Sequence, residues 1–538
     1  MERNKNLVIN IPAEGIEEEV IRDFTLTKEE YRLGIERYFS EFLSNTPCGT
    51  VFLNICYKRS IVPSNTADTY LYNIVRGEDG LPILDEEGNV RKEISPEITI
   101  SNLNRAYREM EKRGIDPIAM AVDIIRSYGC QVWFSVRMND HHYPADRGFN
   151  SSFAYDRAEE VGVGGSKTHI DYTKTPVQNY YRNYIKELCT NYDIDGIELD
   201  YLRSCPVMEE PTEENMELVN CYVASVSNVV KTIAKAKGKD IGVASRIYPT
   251  EELNLSYGLD VVKWVAEGLV DIIIPEEWHI PTYFNIPVDK WRKSIELRNT
   301  KNHPYTLLCG TDWATRCDET LHSGMTMWLS LEQLKGFASA SYSVGADGIY
   351  IFNHFNTNDT SHTLSNMGLY SCYLDKEGNK IFKNVLKEKI CSVNSIEAAE
   401  AGKRCFVNTY SAGEKSPYPI EISADNSFEV SINTGTKLPE KYWNVVVGID
   451  KNPCTEPICI NVNGKIAEMA EDILPPKDFI FKACEDPYPF VDHVSETAER
   501  VMCFKASPES VKPMFNTVQI TSNNGSNATV KWIEIQVE

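Results

Sequence analysis

No stretch of this 538-residue chain approaches the roughly 18 consecutive apolar residues that a membrane-spanning helix needs. The N-terminus, MERNKNLVINIPAEG, has no long apolar core behind its basic residues. These two absences lead to the expectation of a soluble, unexported, cytoplasmic protein. Positive charge is also short, with 55 Lys and Arg against 78 Asp and Glu and a formal net charge of -23. Such a surface repels nucleic acid and anionic membranes, so neither is expected as a partner, and a neutral or cationic small molecule fits better. The 15 cysteines, Cys56, Cys130, Cys189, Cys205 and Cys309 among them, are scattered singly and never form a CxxC pair. They read as reduced, buried thiols, and neither a disulfide framework nor structural zinc is expected. There is no phosphate-binding loop, no GxGxxG after a first strand and no GxSxG elbow, which argues against nucleotide-binding and acyl-hydrolase functions; no cofactor is expected. Internal repeats and low-complexity tracts are likewise missing.

The chain does contain a regular alternation of strand and helix signals, the mark of a parallel sheet with crossover helices. Eight short apolar runs are candidate strands: LVINI (7–11), VFLNIC (51–56), QVWFSVR (131–137), GIELD (196–200), IGVASRI (241–247), DIIIP (271–275), YTLLCG (305–310) and GIYIFN (348–353). Helical stretches at 27–42, 102–128, 177–192, 215–236, 261–267, 288–297 and 331–344 separate them, and one at 379–389 follows the last. Within 215–236, Leu218, Cys221, Tyr222, Val226, Val229 and Ile233 recur at spacings of three and four, predicting an apolar face that packs on the sheet. Eight strands and eight helices are the count for a (β/α)8 TIM barrel.

The character changes near Ser392. Beyond Ala401 the helical period gives way to short alternating runs such as SFEVSINTG, WNVVVGID, ICINVNGK and ATVKWIEIQVE, separated by Gly, Asn and Pro turns. The expected organisation is therefore a barrel over 1–392 and an all-β sandwich over 393–538, since a chain this long exceeds a single core. Long insertions at 60–101 and 139–175 follow strands, which places them on the face where barrel enzymes build substrate clefts.

The segment YDIDGIELDYLR (192–203) is the most informative. Alternation along a barrel strand turns Ile197 and Leu199 outward and Gly196, Glu198 and Asp200 inward, so two carboxylates stack on one lumen face. Asp200 lies at the C-terminal end, where barrel enzymes hold their reacting groups, and Glu198 lies deeper. Two carboxyl groups across a scissile bond are what glycoside hydrolysis requires, one to protonate the leaving oxygen and one to attack or to activate water. Glu276 and Glu277, directly after DIIIP, are the candidate partners, with only one of them expected to act; Asp312 is the runner-up. A buried charge network, Glu198 and Asp200 bonded to Arg137 or Arg246, is the structural alternative.

Other strand ends repeat a polar and aromatic pattern suited to sugar hydroxyls and pyranose faces. They carry Asn54 and Arg59; Arg137, Asn139, Asp140, His141 and His142; Arg203; Arg246 and Tyr248; Trp278 and His279; Trp313; and Asn353 and His354. A metal site on His141, His142, Asp140 and Glu198, serving a lyase or isomerase, is a competing reading, although adjacent histidines rarely converge on one ion. A non-catalytic carbohydrate-binding barrel is another. The expected partner is a small carbohydrate, and association into a homo-oligomer is left open.

YDIDGIELDYLR, with QVWFSVRMNDHH before it and GADGIYIFNHF after it, resembles the family 10 glycosyl hydrolase-like barrels, whose strand follows a DGIxxDYxR pattern. The resemblance covers roughly residues 6–389. It implies a TIM barrel and glycosidase chemistry, with Asp200 in the position of the nucleophile of retaining barrel glycosidases that use an aspartate at the end of the fourth strand. It implies no particular sugar. The departure from the chitinase-like DxxDxDxE pattern leaves a substrate-assisted acetamido mechanism without support.

Overall fold

Each apolar run forms a strand because its neighbours on both sides are also apolar, as a parallel sheet covered by helices demands. The computed structural model describes residues 2–13, 16, 26–56, 58–94, 110–141, 144–277, 282–312, 314–316, 326–353, 370–374, 380–384, 386–408, 417–450, 452, 454–473 and 498–538. The strands β1 (Asn4–Pro12), β2 (Cys48–Cys56), β3 (Gln131–Arg137), β4 (Gly196–Asp200), β5 (Gly242–Ile247), β6 (Ile272–Pro275), β7 (Thr306–Thr311) and β8 (Gly348–Ile351) close into a barrel in chain order, with β8 beside β1. All eight fall on the predicted runs. The helices α1 (Lys28–Leu43), α2 (Pro117–Ser127), α3 (Thr175–Asn191), α4 (Glu213–Lys237), α5 (Val261–Ala266), α6 (Val288–Arg298) and α7 (Leu331–Ser343) lie between them in sequence. No described helix is long and apolar enough to cross a membrane.

Local chemistry sets several boundaries. At α1 the Thr27 side chain accepts from the Glu30 amide at 3.2 Å while Glu30 accepts from the Thr27 amide at 2.7 Å, a reciprocal cap that satisfies two exposed donors. Thr212 caps α4, and Gly238, at φ 64°, ends it in the left-handed conformation that glycine adopts without a Cβ penalty. The long helix predicted at 102–128 is interrupted at 113–116, between helical residues 110–112 and α2. Asp116 accepts from the amides of Ile118 and Ala119, and Pro117 begins α2 there.

Two further expectations need correction. On α4 the buried stripe is Val219, Tyr222, Val223, Val226 and Val230, not the face through Leu218 and Cys221, both of which are exposed. Asn220 turns that stripe, since its Oδ1 accepts from the buried Trp264 indole on α5 at 2.6 Å. A satisfied polar contact outweighs the burial of one more apolar group. The helix expected at 379–389 is instead the strand Lys380–Asn384, paired antiparallel with Tyr370–Leu374, followed by a helix at Leu386–Ser392. Tyr370, Tyr373, Ile381 and Phe382 are of the aromatic and β-branched types that favour strands.

Register defines the lumen. Phe134 packs its ring on Tyr192 at 5.1 Å, just beyond α3, so Val132, Phe134 and Val136 face the helices while Trp133, Ser135 and Arg137 face inward. Trp133 aligns with Gly196 and Gly242, Ser135 with Glu198 and Ala244, and Arg137 with Asp200 and Arg246. Across β2 the same layers continue, with Phe52 beside Trp133 and Asn54 beside Ser135; Asn10 of β1 joins the Phe52 layer. The Phe52 and Trp133 rings stack at 5.2 Å and 9°. Any Cβ at Gly196 would collide with the Trp133 ring, and one at Gly242 would come within 2.7 Å of it.

The C-terminal part is a β-sandwich. One antiparallel sheet runs Arg404–Asn408, Ala528–Val537, Trp443–Ile449, Arg500–Lys505 and Glu468–Ile473, with Ile420–Ile422 also on Ala528–Val537; the other runs Phe428–Asn433, Phe515–Ser522, Ile458–Val462 and Lys465–Ile466. The chain divides by contact density into two units. The first holds Met1–Pro275, Lys290–Leu308 and Asn353–Thr360, and the second holds Glu276–Asp289, Cys309–Phe352 and Ser361–Glu538. The second unit includes α7 because that helix packs on the sandwich: Gln333 donates to Glu534 at 2.8 Å, and Gly336 lies so close to the Cys405 carbonyl that no side chain fits between them.

The glycines under Trp133 yield a first prediction. Gly196→Ala overpacks a lumen that has no room for a methyl group and costs about 1–3 kcal/mol. Urea unfolding should show a lower midpoint with an unchanged slope, and an unaltered midpoint would contradict this packing.

Candidate active site

The uppermost lumen layer of the first unit carries Arg137, Asp200 and Arg246 on three adjacent strands. Their side chains are almost fully buried, and parallel pairing leaves neighbouring residues of one layer side by side. Asp200 Oδ1 accepts from Arg246 Nη1 at 3.1 Å and from the backbone N–H of Arg203 at 3.2 Å. Its other oxygen, Oδ2, is buried without a hydrogen-bond partner. Two donors thus fix the carboxylate's orientation through one oxygen. Leaving the second buried and unpaired costs on the order of 1–3 kcal/mol, a penalty that native structures rarely carry without a use.

Arg137 is committed elsewhere, its Nη1 donating to Asp140 at 2.6 Å in a buried ion pair. Arg203 follows β4. Burial pushes its guanidinium down to about 10, the Arg137 and Arg246 charges add to that, and Asp140 and Asp200 oppose it, so it remains a cation at neutral pH. Five charged groups therefore share this end of the barrel, and the carboxylates Asp140 and Asp200 are each paired to a guanidinium. Of the buried-network alternative, the Asp200 to Arg246 bond is present, whereas Arg137 turns to Asp140.

Around this layer, His141 Nδ1 lies 2.8 Å from Thr168 Oγ1, and its ring stacks on His169 at 4.9 Å. His169 Nε2 is 3.1 Å from Ser204 Oγ. Burial pushes His169 down to about 4, the neighbouring His141 and Lys58 push the same way, and Asp140 opposes them. Lys58 is lowered to about 8 by burial against the opposing charges of Asp140 and Asp146. It lines a small pocket, with room for about one water, together with Asp140, Lys167, Thr168 and Tyr181. Neither Lys58 nor His169 was marked by the sequence pattern, because neither lies on a strand whose period would orient it.

Several sequence candidates have their polar atoms engaged within the protein. Arg59 donates to the Thr69 carbonyl at 2.9 Å and to Asn73 at 2.7 Å, which ties the first insertion to the end of β2. Asn139 donates to the Pro206 carbonyl and accepts from the Ile170 amide, both at 2.9 Å, clasping two loops. Tyr248 is buried and stacks on Tyr257 at 4.7 Å. Deeper in the lumen Glu198 and Asn54 are fully buried, and both amide atoms of Asn54 have no hydrogen-bond partner. Asn353, after β8, sits at φ 55°.

In the second unit Glu276, Glu277 and Asp312 are all buried. The Glu276 side chain lies across Gly310, whose missing Cβ makes room for it. His142, Trp278, His279, Trp313 and His354 lie outside the described residues. Among the described residues no group of three or more His, Cys, Asp or Glu is placed to hold a metal ion.

No protein-family model matches the chain, and neither does any curated protein. Among solved structures it is similar to a cycloisomaltooligosaccharide glucanotransferase from Paenibacillus sp., at 9% identity and TM-score 0.32 over 98% of this chain and 57% of that one. It is also similar to an alpha-L-fucosidase isoenzyme 2 from Paenibacillus thiaminolyticus, at 10% identity and TM-score 0.40 over 74% and 51%. A third is the catalytic domain of a GH30 xylanase C from Talaromyces cellulolyticus, at 9% identity and TM-score 0.36 over 96% of each chain. The chain spans about half the length of the first two. Likeness this weak carries no argument about the reaction.

The depressed His169 pKa gives a pH prediction. Above the ordinary imidazole value of about 6.5 both folded and unfolded states leave the ring neutral, and it adds nothing. As pH falls from there towards 4, the unfolded chain takes up a proton that the folded site refuses, so stability drops. His169→Gln should flatten the loss of unfolding free energy between about pH 7.5 and about 4.5. Equal pH slopes in the two proteins would show that His169 is not held neutral.

Proposed function

We propose that this chain is a glycoside hydrolase acting on an oligosaccharide or small glycoside, with Asp200 as nucleophile or base and one of Glu276 and Glu277 as the acid. The observation that carries the reading is the asymmetry of Asp200. One oxygen is held by Arg246 and the Arg203 amide, and the other is bare at the C-terminal end of β4. A carboxylate oriented in this way has its attacking direction set before substrate arrives, which lowers the cost of reaching the transition state. In the proposed reaction Oδ2 attacks the anomeric carbon, or takes a proton from a water that does, while the acid protonates the departing glycosidic oxygen.

Of the two glutamates we assign the acid to Glu276. Its side chain crosses Gly310, the one position on that stretch of β7 with no Cβ to obstruct it. Glu198, one layer below Asp200 on the same strand, is assigned a positioning role. Arg137, Asp140, His141 and Arg203 are assigned to substrate contact at the rim, with Asp312 and Asn353 as further candidates from the ends of β7 and β8.

A non-catalytic sugar-binding barrel is the second reading, and the buried Asp200 to Arg246 pair favours it, since such pairs also serve purely as architecture. Turnover separates the two. Asp200→Asn should lower kcat on an aryl glycoside by roughly a thousandfold or more while still folding, because an amide oxygen can accept from Arg246. Glu276→Gln should lose activity most on substrates with poor leaving groups. Full activity in Asp200→Asn would end the hydrolase assignment to this residue.

A further inference from the structure

The second unit holds a cavity of its own, of about 220 Å3, where the strands Arg404–Asn408 and Ala528–Val537 meet the loop before Trp443–Ile449. A water molecule takes about 30 Å3 in the liquid, so this space holds several waters or one small organic molecule. Its wall carries Glu400, Arg404, Lys437, Glu440, Lys441 and Glu538. Lys335 on α7 adds a fourth cation. It donates to the Ala401 carbonyl, and its Nζ lies 3.8 Å from where a Cβ would stand at Gly402, which also borders the cavity.

These charges are not equally committed. Glu400 is engaged within the protein, accepting from the Thr436 hydroxyl at 2.9 Å, the Lys437 amide at 3.1 Å and the Ser339 hydroxyl at 3.2 Å. Arg404 Nη1 approaches it only to 4.0 Å, and Nη2 donates to the Lys437 carbonyl at 3.1 Å. The guanidinium therefore lies between two residues of the cavity wall. It is 1% exposed, and its Nε and Nη1 have no hydrogen-bond partner. Burial lowers the Arg404 pKa and Glu400 opposes this, as expected of a cation that has lost water and gained less than a full pair. Lys437 and Lys441 are different. Their side chains are 47% and 67% exposed, and they pair with Glu440, at 3.0 Å, and with Glu538. Exposed pairs of this kind contribute little, so either ammonium group can exchange its carboxylate for a ligand at small cost.

An under-paired guanidinium in the wall and two loosely held ammonium groups at the mouth favour an anion over a neutral or cationic molecule. The buried charge acts strongly because little water screens it. Donors that reach one space from different elements match a phosphate, whose several oxygens each accept and which carries up to two charges, better than a planar carboxylate. We infer that the sandwich unit carries a binding site for a small phosphorylated molecule, with Lys437 and Lys441 donating to the phosphate and the Arg404 charge behind it. This site goes beyond the glycosidase reading and does not depend on it.

The test is calorimetric titration of the full chain, in a phosphate-free buffer, with inorganic phosphate, malonate and glucose. Phosphate is expected to bind saturably and to raise Tm. A variant carrying both Lys437→Ala and Lys441→Ala should bind phosphate about tenfold more weakly, with little change in Tm when phosphate is absent. Arg404→Met should abolish binding; if that variant fails to fold, the lysine variant decides alone. No saturable phosphate binding to wild type, or equal affinity in the lysine variant, would overturn the site. Malonate bound as tightly as phosphate, or glucose bound in its place, would overturn the assignment to a phosphorylated ligand. The readout is binding and not turnover, so failure here leaves the hydrolase reading where it stands.

Discussion

The parallel register between β3, β4 and β5 is the constraint on which the site depends. It sets Arg137, Asp200 and Arg246 in one row at the C-terminal end of the barrel and gives Asp200 a guanidinium on the next strand at 3.1 Å. A slip of one residue on β4 would turn Asp200 out toward the helices and bring Leu199 into the lumen. The register is protected from below, because the Trp133 ring fits only where β4 and β5 present Gly196 and Gly242. Packing at the floor and charge at the rim are thus two consequences of the same alignment.

Polarity in the barrel comes at a thermodynamic cost that apolar side chains would have avoided. Burying an ion pair often gains nothing over a well-packed hydrophobic replacement, and bare amides are worse. The rest of the fold offsets these penalties with ordinary devices: capped helices, largely apolar outward faces on the barrel strands, and a sandwich sheet joined by α7 through Gln333 and Glu534. Stability located away from the lumen is what allows the lumen to stay chemically unsatisfied.

The charge pattern near the site runs against the composition. A chain with a net charge of -23 gathers Arg137, Arg203, Arg246 and Lys58 at one end of its barrel, where Asp140 and Asp200 each take a guanidinium partner. Pairing of this kind holds the side chains of Arg137 and Arg246 in fixed positions, while Arg203 and Lys58 add positive charge that no carboxylate in this group balances.

Much of this was legible in the sequence because strand period is a local property. Eight apolar runs with helices between them specify a closed barrel, and alternation alone turned Glu198 and Asp200 inward. The same signal was present, though not taken up, in LVINI and QVWFSVR, where Asn10 and Ser135 are polar residues at lumen positions of otherwise apolar strands. The sequence could not say which donor each carboxylate would meet, since Asp200 to Arg246, Arg137 to Asp140 and Asn220 to Trp264 depend on register and rotamer across separate segments. It could not show that Arg59 and Asn139 would be engaged by the loops, nor that α7 would join the sandwich. Period and composition act over a few residues and determined the barrel, its inward faces and the position of Asp200. Partners are fixed by distances between residues far apart in the chain, and only the folded structure decides those.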